Sequence, residues 1–359
     1  MLLEKAKIYG VDGVGKSSPS LTRTDSAEGL TFTVGGSEIK SDFDKCYPWC
    51  EMQEVVDEHD NVFIKIPKFY SKITKNADGT FKHQISGFRF DGFSTLFVDG
   101  KGNEIDYVLV GKYEASGSSS QAFSKSGQTC LVNITLPNMR KACAANGEGY
   151  QQYDFLIDAI IKELFMIEFA TTNSQSIMQG WTNGSNTAAL ITGHTDNVKT
   201  ASGSWNSNHT EDCTTCNSDG LHACKYRGIE NPWGNVWKWV DGITFSKEKI
   251  YACTDPTKYV GESQAQPYNY VGDRATGEGY AKTIEYFDKL PLLGFTKATG
   301  ASSTTHYSDY YYYSESGTVL FVGGHWLSGA RAGLWYWYGR STASDAYAYF
   351  GGRLCYKPL

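Results

Sequence analysis

Three stretches of the 359-residue chain carry residue types at spacings that do chemistry. Near the N-terminus, GVDGVGKS matches a phosphate-binding loop through Gly10, Gly15, Lys16 and Ser17. Such a loop works when a buried strand precedes it and a helix follows, so that backbone amides and the helix dipole converge on phosphate. Here Ser18, Pro19 and Ser20 follow, then TRTDSAEGLTFTVGG, which reads as turn and strand. No βαβ repeat comes after it, so a Gly-rich turn is expected there. In HTEDCTTCNSDGLHAC, Cys213 and Cys216 form a CxxC, with His209, His222 and Cys224 close by, all zinc-ligand types. A zinc ribbon repeats its CxxC and this chain does not, so reduced or incidental cysteines are expected, with room left for a structural zinc or calcium. The third stretch, residues 319–354, reads VLFVGGHWLSGARAGLWYWYGRSTASDAYAYFGGRL. It interleaves small residues with Tyr, Trp, His and Arg. Aromatic side chains give wide contact area at low entropic cost, and Ser, Gly and Asn adapt by hydrogen bonding, which is the composition of a binding surface. Alternation along a strand puts Leu334, Tyr336 and Tyr338 on one face and Trp335 and Trp337 on the other.

The rest of the chain must position that stretch. Hydrophobic residues make up 40% and charged residues 20%, with 38 Gly and 24 Tyr, as in a β-rich globular protein rather than a long helical one. A net charge of -6 offers no footprint for nucleic acid or for an anionic membrane surface. No run approaches a membrane span, and MLLEKAKIYGVDG lacks the apolar core of a signal peptide. Nine cysteines, an odd number without a secretion signal, read mainly as free thiols. Strand patterns run through VFIKIPKFYSKI, with a turn at Asp78-Gly79, and through YVLVGKYEAS. Two helices follow, LPNMRKACAANG and YQQYDFLIDAIIKELFMIEFAT, the second largely buried; its acids Asp158, Glu163 and Glu168 are expected in surface or N-terminal pairs. Residues 180–220 form a long Gly/Ser/Thr/Asn-rich loop.

Within YRGIENPWGNVWKWVDGITF, the segment Gly234-Asn235-Val236-Trp237-Lys238-Trp239-Val240 closely resembles the GNVWEW signature of the formylglycine-generating-enzyme type of C-type lectin fold. Further landmarks occur in the same order: IPKFY (66–70), GKYEAS (111–116), EFATTNSQ (168–175), VLFVGGHW (319–326) and the closing GGRL (351–354). Within that superfamily the chain resembles the variable, receptor-binding tail-fibre proteins of phages that carry diversity-generating retroelements. The resemblance implies an α+β lectin-like domain over residues 56–359, preceded by a small β-rich region over 1–55 for attachment or oligomerisation. It also implies a variable binding segment at about 305–354. Family members vary positions whose template codon is AAY, and changing its adenines reaches Tyr, His, Ser, Arg, Leu, Thr, Asp or Asn but never Trp. By that rule Tyr311, Tyr313, His325, Leu327, Ser328, Arg331, Tyr338, Arg340, Thr342, Asp345, Tyr347 and Tyr349 are ligand-binding. Trp237, Trp239, Gly323, Gly324, Trp326, Gly333, Gly351 and Arg353 are then scaffold. The implied protein is a non-enzymatic homotrimer in the virion, at the tail-fibre tip, binding a cell-surface protein or glycan and other phage tail proteins, without cofactor. Two alternatives stand beside it: an oxidase of the formylglycine-generating type and a bacterial surface or defence protein diversified in the same way. Cys253 and Cys355 do not sit in the oxidase's cysteine motif, and the calcium-lectin motifs EPN, QPD and WND are absent.

Overall fold

The computed structural model describes all residues except 1, 17–19, 186–187, 208–212, 306, 308 and 359, and side chains 291–292. Its architecture is β-rich α+β: short, mostly antiparallel sheets with α-helices at Leu2–Lys5, Leu136–Ala144 and Phe155–Phe169. Residues 1–55 supply strands to three sheets that later strands complete. Ile8–Val14 pairs with Phe81–Ser86, Glu38–Ser41 with Ser202–Ser204, and Gln53–Val56 with Val62–Pro67. The glycines of the phosphate-loop pattern therefore belong to a paired strand and the turn that ends it. The amide of Gly15 donates to Tyr307 Oη at 2.9 Å, and Lys16 bridges to Thr283. Ser17 lies outside the described residues.

The Phe155–Phe169 helix is the centre of the larger core. Asp154 caps it by accepting from the amide of Ile157 at 2.9 Å, and Ala170 ends it at φ 51°. Every residue of this helix is buried, so it has no solvent face. Its three acids, expected in surface or N-terminal pairs, are paired but buried: Asp158, in the first turn, with Lys162, Glu163 with His83 and Glu168 with Arg227. Burial without partners would be prohibitive for carboxylates. Lys162 comes from the same helix, but His83 comes from the Phe81–Ser86 strand and Arg227 from a distant loop, which sequence periodicity could not place.

A seven-stranded sheet carries the aromatic segment. Its strand order is Leu290–Thr299, Gly279–Phe287, Tyr310–Tyr313, Gly333–Gly339, Leu320–Gly323, Trp237–Val240 and Phe350–Gly351. Two pairings are parallel, Tyr310–Tyr313 with Gly333–Gly339 and Trp237–Val240 with Phe350–Gly351. The expected alternation is present from Trp335 to Tyr338 and divides the sheet into two faces, while Leu334 packs in the cluster of Trp335 and Trp337 rather than with Tyr336. Trp335 and Trp337 look onto the long helix, where Phe165 approaches Trp335 and Lys162 lies 4.7 Å from the Trp337 ring. Tyr336 looks the other way, onto Trp237. The Leu136–Ala144 helix covers part of that second face, packing with Trp239 and Phe321 in one cluster. The remainder of the face lies open.

The recognised motifs converge under this sheet. Lys238 of GNVWKW pairs with Glu114 of GKYEAS at 3.1 Å, both side chains 1% exposed. Arg353 of GGRL, also buried, donates to the carbonyls of Gly111 and Lys112 and to those of Glu230 and Asn231. Three segments far apart in sequence are thus tied by two buried cations.

Candidate binding surface

The open part of the sheet is paved with rings in unbroken contact. Tyr347 stacks on Tyr349 (centroids 5.6 Å, planes 4° apart), and Tyr349 stacks on His325 (4.8 Å, 17°). Trp237 is the floor beneath them, 4.9 Å from His325, 5.0 Å from Tyr349 and 4.3 Å from Tyr338. The run continues from Tyr338 to Tyr312 at 5.2 Å, to Tyr310 at 4.5 Å, and to Tyr280 at 5.1 Å. All but the closer Trp237–Tyr338 pair lie at the separations that aromatic pairs favour. Tyr347 is 50% exposed and Leu327 51%; Tyr310, Tyr312, Tyr338, Tyr349 and His325 are half-buried. Two exposed arginines flank the track. Arg331 donates from Nη1 to Tyr312 Oη at 2.7 Å, and the Arg340 guanidinium lies 6.0 Å from the Tyr312 ring and 3.4 Å from Glu278. Cation–π attraction reaches a guanidinium within about 6 Å of a ring face, and each of these arginines keeps donors beyond those engaged here.

Local bonds fix the backbone from which these side chains project. His325 Nδ1 accepts from the amide of Leu327 at 3.3 Å, and Ser328 Oγ accepts from the amide of His325 at 2.8 Å. An accepting Nδ1 is unprotonated there. Burial also pushes the imidazole down to about 4. Asp345 Oδ2 accepts from the amide of Thr342 at 2.8 Å and closes the turn leading to Tyr347. Beneath, Gly324 (φ 77°) faces Ala332 so closely that a Cβ would sit 2.7 Å from the Ala332 methyl. Gly333 (φ 147°) lies against Asp309, whose carboxylate accepts from the amide of Trp335 at 2.7 Å; a Cβ would fall 2.2 Å from that carboxylate.

Ten of the twelve residues expected at the surface, His325, Leu327, Ser328, Arg331, Tyr338, Arg340, Thr342, Asp345, Tyr347 and Tyr349, are exposed or half-buried along this edge and its turns. Tyr311 is 1% exposed and donates its hydroxyl to the carbonyl of Ala275, so the expected surface position is an interior one. Tyr313 shares its face and packs beneath the Arg274 guanidinium, away from the track. The physical reason is register. Tyr312 pairs beside Tyr338 and Tyr311 beside Trp337, and cross-strand neighbours share a face. Within Tyr310–Tyr313 every residue is Tyr, so identity cannot set the phase; the two that face outward are Tyr310 and Tyr312, which sequence reasoning missed along with Tyr280. The scaffold residues Trp239, Gly323, Gly324, Trp326, Gly333, Gly351 and Arg353 are all buried, and Trp237 (8% exposed) also touches the track.

The cysteine loop departs from expectation. Cys213 and Cys216 are joined in a disulfide rather than free, and Cys224 is buried apart from them, within reach of the Trp233 carbonyl. His209 lies outside the described residues. Cavities of about 530 and 630 Å³ open near Asp241 and Cys253, and neither is lined by the aromatic track.

No family model matches the chain, and no curated protein matches it. Among solved structures, the chain is similar to one described as Major Tropism Determinant U1 Variant. That match has 10% identity and a TM-score of 0.30, and it covers 98% of this chain and 72% of the other.

Proposed function

We propose that this chain is a receptor-binding protein that displays a diversified surface, working at the tip of a phage tail fibre on a cell-surface protein or glycan. The observation that carries this reading is the continuous ring track from Tyr347 through Tyr349, His325, Trp237, Tyr338 and Tyr312 to Tyr310. Rings with few rotatable bonds, flanked by two arginines and seated on a buried Trp floor, are the anchor type that dominates binding energy at protein interfaces. Ten of the twelve positions reachable from AAY codons lie along the open edge, Tyr311 and Tyr313 being the exceptions, while Trp and Gly positions lie beneath it, as a surface that varies without disturbing its support requires. The joining of GKYEAS, GNVWKW and GGRL through Glu114, Lys238 and Arg353 supports assigning the β-rich architecture to the formylglycine-generating-enzyme type of C-type lectin fold.

The oxidase reading needs two reactive thiols. Burial raises the Cys253 thiol and pushes Cys355 up to about 12, which disfavours the nucleophilic thiolate in both. A homotrimer carrying three such tracks would gain avidity from individually weak contacts. Light scattering is expected to return three times the chain mass of 39.7 kDa; a one-chain mass at micromolar concentration counts against trimerisation. The function itself is tested by offering the purified chain to arrayed bacterial surface proteins and surface glycans. The ligand retained by the native chain should be lost by the combined Tyr312→Ala, Tyr338→Ala, Tyr347→Ala and Tyr349→Ala variant. Undiminished retention by that variant sinks the reading.

A further inference from the structure

A second site lies in the Cys/His loop. Cys213, Cys216 and His222 each offer one ligand atom, and these atoms lie within 4.8 Å of one another. Cys216 is 1% exposed, and Cys213 and His222 are half-buried. The histidine is oriented as a ligand would be. Its Nε2 faces Asp219 Oδ2 at 3.2 Å, while its Nδ1 is buried with no hydrogen-bond partner among the described residues. A carboxylate on one imidazole nitrogen holds the proton there and leaves the lone pair of the other free, the arrangement that metal-bound histidines use. The carboxylate is itself fixed, since Asp219 Oδ1 accepts from the amide of Leu221 at 2.8 Å. Trp205, 5.8 Å from the His222 ring, shields it on one side.

We propose that Cys213, Cys216 and His222 bind a zinc-class divalent cation when the Cys213–Cys216 disulfide is reduced. A dithiol reductant supplies two electrons and two protons to the disulfide, giving two thiols and a cyclic disulfide. The cation then takes two thiolates and the neutral His222 Nδ1, releasing the two thiol protons, with water at the fourth tetrahedral position. The loop is thus held by metal under reducing conditions and by the sulfur–sulfur bond under oxidising ones.

The site braces the binding edge. The Gly220 carbonyl accepts from the amides of Thr182 and Asn183, and the Thr182 carbonyl accepts from the amide of Gly329, beside Leu327 and Ser328. The Asn183 side chain also donates to the Asp219 carbonyl at 2.8 Å. Whatever holds residues 213–222 therefore positions the Thr182–Asn183 segment on which the Leu327–Gly329 turn rests.

The test titrates the full chain, reduced with a phosphine and freed of it without air, with cobalt(II) alone. A thiolate-to-cobalt charge-transfer band should saturate at one equivalent and vanish when zinc is added. The never-reduced protein, folded and disulfide-bonded, should give no band. The Cys213→Ser/Cys216→Ser variant keeps the seven other cysteines and should lose the band. Asp219→Asn should weaken binding by about 10- to 100-fold, as second partners of metal-bound histidines do. Absence of the band in the reduced native chain, or its persistence in the double Ser variant, overturns the proposal. So does equal affinity in His222→Ala.

Discussion

The Lys238 ammonium lies 3.1 Å from the Glu114 carboxylate, with both side chains 1% exposed. Glu114 also accepts from the side-chain amides of Asn231 and Asn235, and Lys238 donates to the carbonyls of Gly234 and Val236. A buried pair of this kind is costly to break because the surviving charge has nowhere to go. Glu114→Ala should lower unfolding free energy by about 3 to 5 kcal/mol, measured by denaturant titration. A loss below about 1 kcal/mol would mean that the pair is solvated and does not join the motifs.

Neighbouring tyrosines should behave oppositely. Tyr312 is half-buried beside Tyr338, whereas Tyr311 is interior and bonded to the Ala275 carbonyl. Tyr312→Ala and Tyr347→Ala should each weaken ligand binding by about tenfold or more, with melting temperature nearly unchanged. Tyr311→Ala should instead cost about 3 to 5 kcal/mol of stability through the cavity it leaves. Tyr313→Ala should leave affinity alone. If Tyr313→Ala abolishes binding while Tyr312→Ala does not, the binding face is on the other side of the sheet.

Much of this division could be read from the chain because composition and alternation act locally. The four residues Trp335 to Tyr338 sort themselves by period two, and small residues such as Gly324 and Gly333 mark where backbones crowd. The phase of Tyr310–Tyr313 was not legible, since four identical side chains carry no alternation and the deciding register comes from a parallel neighbour. The buried partners of Asp158, Glu163 and Glu168 were hidden for a related reason. Lys162 is one turn away, but His83 and Arg227 reach the helix only through tertiary structure. The Cys213–Cys216 bond likewise depends on loop geometry rather than on spacing, which suits metal and disulfide equally.

The scaffold residues should fail by packing. Trp326 is 6% exposed and forms one cluster with Val236 and Cys130. Trp326→Ala should therefore lower stability by about 3 to 5 kcal/mol. Gly333→Val places a branched side chain into the Asp309 carboxylate at a φ of 147° and should prevent accumulation of folded protein. A soluble Gly333→Val variant with native melting temperature would show that this backbone can move.

Half-buried His325 and fully buried Glu230 should give stability slopes of opposite sign in nearly the same pH range. Burial holds His325 at about 4, below its ordinary 6.5, so between these values the unfolded chain binds more protons. Its contribution is complete above about pH 6.5 and is lost as pH falls toward 4. Glu230 is the reverse case. Burial pushes its carboxyl up to about 7, although the amides of Gly193 and Thr195 and the Thr195 hydroxyl donate to it. Between about 4.5 and 7 the folded chain then binds more protons, so this contribution is present below 4.5 and is lost as pH rises toward 7. Each slope is at most about 1.4 kcal/mol per pH unit, and in the native chain they largely cancel. His325→Phe should unmask a stability that falls with rising pH, and Glu230→Gln one that rises with it, whatever either change does to the mean. Denaturant titrations from pH 4 to 7 would separate them; parallel curves for both variants would show that neither group titrates with folding.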